Sequence, residues 1–227
     1  MGTDDLFHKR RIFRDRDLMR KTNHRSAHEI VLIICEGSKT EPNYFSALRT
    51  HLRLNRENIV IHDGHKGSDP LSLVNAAEEA FVREKKRDPE KLGFDRVFVV
   101  FDRDTHTTYN NALQKIQGLN KKYKHKFTPI VSIPCFEIWL LLHFGYSTRQ
   151  YVASGGNSPC DNLIRYLDSH LPGYAKGNVG IFEATKDRLS EAVKNAKQLE
   201  AHQESAQTGN PSTKVHQLVE YLLNIQK

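Results

Sequence analysis

Apolar and polar positions fall into blocks along this chain, and the sharpest boundary lies between Cys35 and Glu36. Ile30-Val31-Leu32-Ile33-Ile34-Cys35 is apolar throughout and rich in β-branched residues. Such a run fits a strand covered on both faces, as in a parallel sheet flanked by helices. It stops at Glu36-Gly37-Ser38-Lys39, and ligand sites in such sheets lie beyond the carboxyl ends of the strands. The same four residues would also make an ordinary strand-to-helix turn.

The blocks that follow alternate between strand and helix periods. Thr40-Glu41-Pro42 supplies a helix start, after which Tyr44, Phe45, Leu48 and Leu52 recur at helical spacing. Ile59-Val60-Ile61 reads as a short strand, and 63–70 as a polar loop with Asp69 capping a helix that carries Leu71, Val74, Ala77, Ala80 and Phe81 on one side. Arg96 to Phe101 is a third strand ending on Asp102-Arg103-Asp104, a helix spans about Tyr109 to Tyr123, and Phe127 to Ile133 is a fourth strand. Phe136 to His143 reads as a buried helix with Glu137 near its start, and Trp139 and His143 as core. Strands alternating with helices at these lengths predict an α/β fold with a mostly parallel sheet of about four strands.

From about Gly145 the pattern becomes helical. A short helix is expected over Asn162 to Leu171, a longer one from Ile181 to about Gln203, and a last one from Ser212 to Asn224, with glycine-rich links at 154–159 and 173–180. Three segments result: a basic N-terminal arm (1–28), an α/β core (29–145) and a helical C-terminal subdomain (146–227) packed on it.

Charge sharpens this division. The formal charge of +7 comes mainly from the front, where residues 1–28 hold eight Lys or Arg against four acids, while 151–227 balance. An excess of this size permits a polyanionic partner without demanding one. Cys35, Cys135 and Cys160 are far apart and lack metal-ligand spacing, so neither a disulfide framework nor a zinc site is indicated, and a reduced cytoplasmic protein is expected. No apolar run is long enough to span a membrane.

The acids carry the candidate chemistry. Asp102 and Asp104 lie two apart at a strand end, so their side chains leave the same face while the chain stays extended. Two carboxylates so placed suit a divalent cation such as Mg²⁺ or Mn²⁺. If the first and third strands are neighbours, Glu36 enters the same crevice. Lys39 would neutralise a phosphate beside a helix N-terminus, and Arg103, His65, Lys66 and His106 are further candidates for phosphate or nucleic-acid contact, though His65, Lys66 and His106 read more readily as ordinary loop residues. Gly37-Ser38-Lys39-Thr40 is not a P-loop, since Ser38 precedes the lysine and Ile33 stands where the first glycine belongs; no dinucleotide glycine motif or Gly-x-Ser-x-Gly occurs.

Glu-Gly after the first strand together with Asp-x-Asp after the third resembles the Toprim fold of topoisomerases, bacterial primases and certain nucleases. The stretches Ile33 to Phe45, Val99 to Asp104, Ser132 to Phe144 and Asn210 to Val215 narrow this, because they resemble blocks of the RloB-like family. The resemblance implies a Toprim-type, Mg²⁺- or Mn²⁺-dependent nuclease of bacterial anti-phage or restriction loci, acting on DNA or RNA beside an ATPase partner, with a homo-oligomer left open. It makes Glu36 the general acid/base or metal ligand, and Asp102 and Asp104 the metal-binding pair. The third acid that would follow Asp104 is missing, since Thr105 and His106 come next, and Glu137 is the candidate to replace it. The alternative is a non-catalytic nucleic-acid-binding or ATPase-docking subunit that keeps the fold. Nucleotidyl transfer, as in primases, is a third reading, without a zinc module to support it.

Overall fold

The structure is a computed structural model describing residues 29–63, 69–87, 93–103 and 107–225. Its centre is a five-stranded sheet in the order β2-β1-β3-β4-β5. Strands β1 (Val31–Cys35), β2 (Ile59–His62), β3 (Arg96–Asp102) and β4 (Phe127–Ile133) are parallel, and β5 (Ser212–Thr213) is antiparallel to β4. The first and third strands are therefore neighbours, with Cys35 opposite Val100.

Alternation along β1 divides the core in two. Val31, Ile33 and Cys35 face helix α1 (Thr40–His51) and the C-terminal helices, while Leu32 and Ile34 face α2 (Pro70–Arg87) and α3 (Tyr109–Tyr123). Because both faces are covered, every residue of β1 is buried, as its unbroken apolar run requires. Asp69 caps α2 as expected, accepting hydrogen bonds from the Leu71 and Ser72 amides at 3.1 and 3.2 Å.

The remaining helices are α4 (Glu137–Leu141), α5 (Pro159–Asp168), α6 (Ile181–Thr185), α7 (Leu189–Ala206) and α8 (Val215–Asn224), with a 3₁₀ turn at Lys186–Arg188. Trp139 and His143 are core, as expected. His143 accepts from the Tyr44 hydroxyl through Nε2 (3.5 Å) and donates from Nδ1 to the Trp139 carbonyl (3.0 Å), an arrangement for neutral imidazole. Burial accordingly depresses its pKa to about 4.

Several expectations are corrected. The helix expected from Asn162 begins at Pro159, because Ser158 and Asp161 form a reciprocal capping box ahead of a proline at the first helical position. The single helix expected from Ile181 is broken at Thr185, whose hydroxyl bonds back to the Ile181 carbonyl at 2.8 Å. Ser212–Thr213 is a strand rather than a helix start: Thr213 Oγ1 meets Ser132 Oγ at 3.0 Å and accepts the Val215 amide. Cys135 and Cys160 are joined by a disulfide, against the expectation of none. Their separation of 25 positions has no signature, and only the packing of α5 against the turn after β4 brings them together.

Among the described residues no helix is long and apolar enough to cross a membrane. The arm expected over 1–28 lies outside the described residues.

Candidate functional site

Four carboxylates gather at the carboxyl edge of the sheet, on the side of α1. Glu36 follows β1, and its Oε2 accepts the Asp102 amide at 3.1 Å while its own amide donates to the Val100 carbonyl at 2.9 Å. Asp102 ends β3 with the parity of Phe98 and Val100, which belong to the α1-side core. Glu41 lies in the first turn of α1 and Glu137 at the start of α4; both are buried.

The electrostatics register this crowding. Burial pushes the Asp102 carboxyl well above the ordinary carboxylate range, and the charges of Glu41, Glu137 and Glu36 push the same way, with Lys176 opposing them. Burial likewise raises Glu41 from 4.5 to about 7; its backbone hydrogen bond and Lys176 hold it down, and Glu137 and Glu36 add to the rise. Without a cation, Asp102 and Glu41 favour retaining their protons.

Gly37 leaves the room Glu41 needs. A Cβ on Gly37 would meet the Glu41 Oε2 at 2.1 Å, a distance no pair of heavy atoms tolerates without a bond. The glycine thus makes room for this placement of the Glu41 carboxylate and does not serve a left-handed backbone.

A second wall comes from the 173–180 link. The Tyr174 hydroxyl donates to Glu137 Oε1 at 2.9 Å, and burial, reinforced by the Glu137 charge, raises the Tyr174 pKa steeply. Lys176 Nζ lies 4.0 Å from Glu137 Oε2, and the Gly177 amide donates to Thr40 Oγ1 at 2.8 Å. Gly177 has a φ of +84°, and a Cβ there would press on the Lys39 side chain at 3.1 Å. Glycine therefore serves twice at this contact. The result sets half-exposed Lys176 beside the acids, with exposed Lys39 packed on Gly177 next to it.

The other expected residues divide. Arg103 is exposed, with its guanidinium 5.2 Å from the centre of the Tyr109 ring. Asp104, His65, Lys66 and His106 lie outside the described residues. Glu41, Tyr174 and Lys176 were missed in the sequence. Glu41 had a signal, an acid in the first helical turn close after Glu36-Gly37, but it reads equally as part of a helix start. Tyr174 and Lys176 stand in a glycine-rich link with no periodicity, and nothing local ties them to the sheet edge.

The donor set suits a hard divalent ion, being all oxygen and crowded with negative charge. Among the described residues no three of these carboxylates bring oxygens within 4.8 Å of one another; the group that does approach so closely is Cys135, Glu137 and Cys160. An ion at the acids would therefore be held by few protein ligands and by water, as Mg²⁺ commonly is. A separate cleft lined by Glu29, Arg53, Asn55, Asn58 and Ile225 lies at the opposite edge of the sheet and touches none of the acids.

No curated protein matches the chain. The family model described as RloB-like protein matches residues 31–222, which takes in every element from β1 to most of α8. The chain belongs to the RloB-like family.

Proposed function

We propose that this protein is a Toprim-type nuclease that hydrolyses phosphodiester bonds of DNA or RNA with Mg²⁺ or Mn²⁺, and that it acts in anti-phage defence beside an ATPase partner. The observation that carries the reading is the meeting of Glu36 and Asp102, joined through the Asp102 amide, with Glu41 and Glu137 near enough to raise the Asp102 pKa. Acids are seldom crowded without a charge to balance them. Partner and biological setting rest on family membership and the earlier resemblance.

Asp102, with Asp104 two residues on, would hold the ion, helped by Glu41 and Glu137. When bound, a divalent ion supplies Lewis acidity toward a phosphoryl oxygen and lowers the pKa of an attacking water. Glu36 moves a proton at the scissile position. Tyr174 orients the Glu137 carboxylate, and Lys39 and Lys176 face the phosphate from the rim. Exposed Arg103 extends the surface for the strand, and His65, Lys66 and His106 are carried as candidates from the sequence alone.

Cleavage of labelled single- and double-stranded DNA and RNA with Mn²⁺, with and without the ATPase, tests this. Asp102→Asn and Glu36→Gln should each lose activity by about 100-fold or more. Wild-type rates in both variants would overturn the reading. The non-catalytic alternative draws on the spread of the carboxylates, no three of which approach closely among the described residues. It expects calorimetry to find no divalent-ion binding.

A further inference from the structure

The disulfide stands against the candidate site, not apart from it. Cys135 is buried two positions before Glu137, and Cys160 Sγ lies 3.7 Å from Glu137 Oε2. Cys160, in the first turn of α5, is partly exposed, whereas Cys135 is buried, so the Cys160 side is the one nearer solvent. A chain of 227 residues with two hydrophobic clusters around a sheet has no need of a covalent staple, unlike a small domain that cannot bury enough surface. Outside oxidising compartments, moreover, most disulfides are transient or redox-sensing.

The position of the bond gives it leverage. It ties the turn before α4, which carries Glu137, to the front of α5, which leads into the link bearing Tyr174, Lys176 and Gly177. That link returns to Glu137 and Thr40 through the Tyr174 and Gly177 hydrogen bonds. Glu137 thus stands between a covalent tie two residues before it and the Tyr174 hydrogen bond, while the Gly177 bond fastens the same link to Thr40.

We propose that Cys135 and Cys160 form a reversible thiol–disulfide redox site that controls how firmly the Glu137–Tyr174–Lys176 wall is fixed. A dithiol reductant attacks the Cys160 sulfur as thiolate; the S–S bond breaks, and the electron pair leaves on Cys135, which takes up a proton. The second thiol of the reductant then displaces Cys160 from the mixed disulfide, so one protein disulfide and one dithiol become two protein thiols and one reagent disulfide. Oxidation is the reverse exchange with a small disulfide such as glutathione disulfide, which leaves as two thiols. In the reduced state Cys160 donates a hydrogen bond to Glu137, competing with any cation for that oxygen, and α5 loses its covalent anchor.

The consequence for metal binding rests on the proposed function, whereas the redox chemistry and the loosening of the wall do not. The full chain is equilibrated with glutathione disulfide or with dithiothreitol, desalted, denatured and alkylated. Intact mass should show one reactive thiol, Cys35, after oxidation and three after reduction. Hydrogen exchange over 173–180 should be faster in the reduced chain and in Cys160→Ser, which should no longer respond to either reagent. Calorimetric Mn²⁺ affinity should fall by about tenfold on reduction, the scale of losing a group that holds a metal-binding side chain in place. Three reactive thiols after oxidation, zinc copurifying on the thiols, or exchange over 173–180 identical in both states would overturn the proposal. If neither form binds Mn²⁺, the metal reading of the site fails, while the thiol count and the exchange rates still decide the redox site.

Discussion

Glu41 shows how one glycine can determine where a buried acid sits. With 2.1 Å between its Oε2 and a Cβ at position 37, Gly37→Ala must either expel the carboxylate or shift the turn. Overpacking of this kind costs about 1–3 kcal/mol. A matching fall in the urea midpoint, with m unchanged, should therefore follow, together with weakened Mn²⁺ binding; a fully stable alanine variant would mean that Glu41 is free to leave its place. The Glu36 and Asp102 pairing was legible in the sequence, because each acid ends an all-apolar strand and such ends meet at one sheet edge. The reason for Gly37 was not, since glycine in a turn suggests backbone freedom and the clash is with a side chain one helical turn away.

Elements were legible where periodicity was strong. β1, β3 and β4 fall where their apolar runs place them, and α2 begins at its Asp69 cap. The misreadings share a cause: side chains of Ser and Thr redirect the backbone without disturbing hydrophobic spacing. Ser158 starts α5 early, Thr185 ends α6 early and Thr213 turns a helix start into a strand. The Ser158 box can be tested alone. Ser158→Ala removes an N-cap worth about 1 kcal/mol, so thermal stability should fall by that amount while Ser169→Ala, at the other end of the helix, has a smaller effect. Equal losses at both ends would show the box to be unimportant.

At the scale of the whole molecule the buried acids tie stability to pH. Glu41 rises from 4.5 to about 7 on folding, so between these values the native chain binds more protons than the unfolded one. Stability is then fully present below the lower value and declines as pH rises through the upper; at about 1.4 kcal/mol per pH unit the loss is on the order of 3 kcal/mol. Asp102 moves in the same direction. Urea denaturation in chelator from pH 5 to pH 8 should show this decline, and Glu41→Gln should flatten it. Parallel curves for the two proteins would remove Glu41 as its source. The sequence hinted at this coupling only through Glu36 and Asp102; the parts of Glu41, Glu137 and Lys176 arise from residues that become neighbours only in the fold.

The two-residue strand β5 has a bearing on synthesis. It seals the end of β4 at Ser132, opposite Asp102 in the register, yet Thr213 lies 81 positions further along the chain. A ribosome adding 5–20 residues per second needs roughly 4 to 16 seconds to make that stretch. Throughout that interval the rim of β4 beside the acids stays open to whatever strand it meets, a neighbouring nascent chain included. Mispairing of β4 during translation would thus fall at the place where the chemistry is expected, and chaperone protection there would guard the site as well as the sheet.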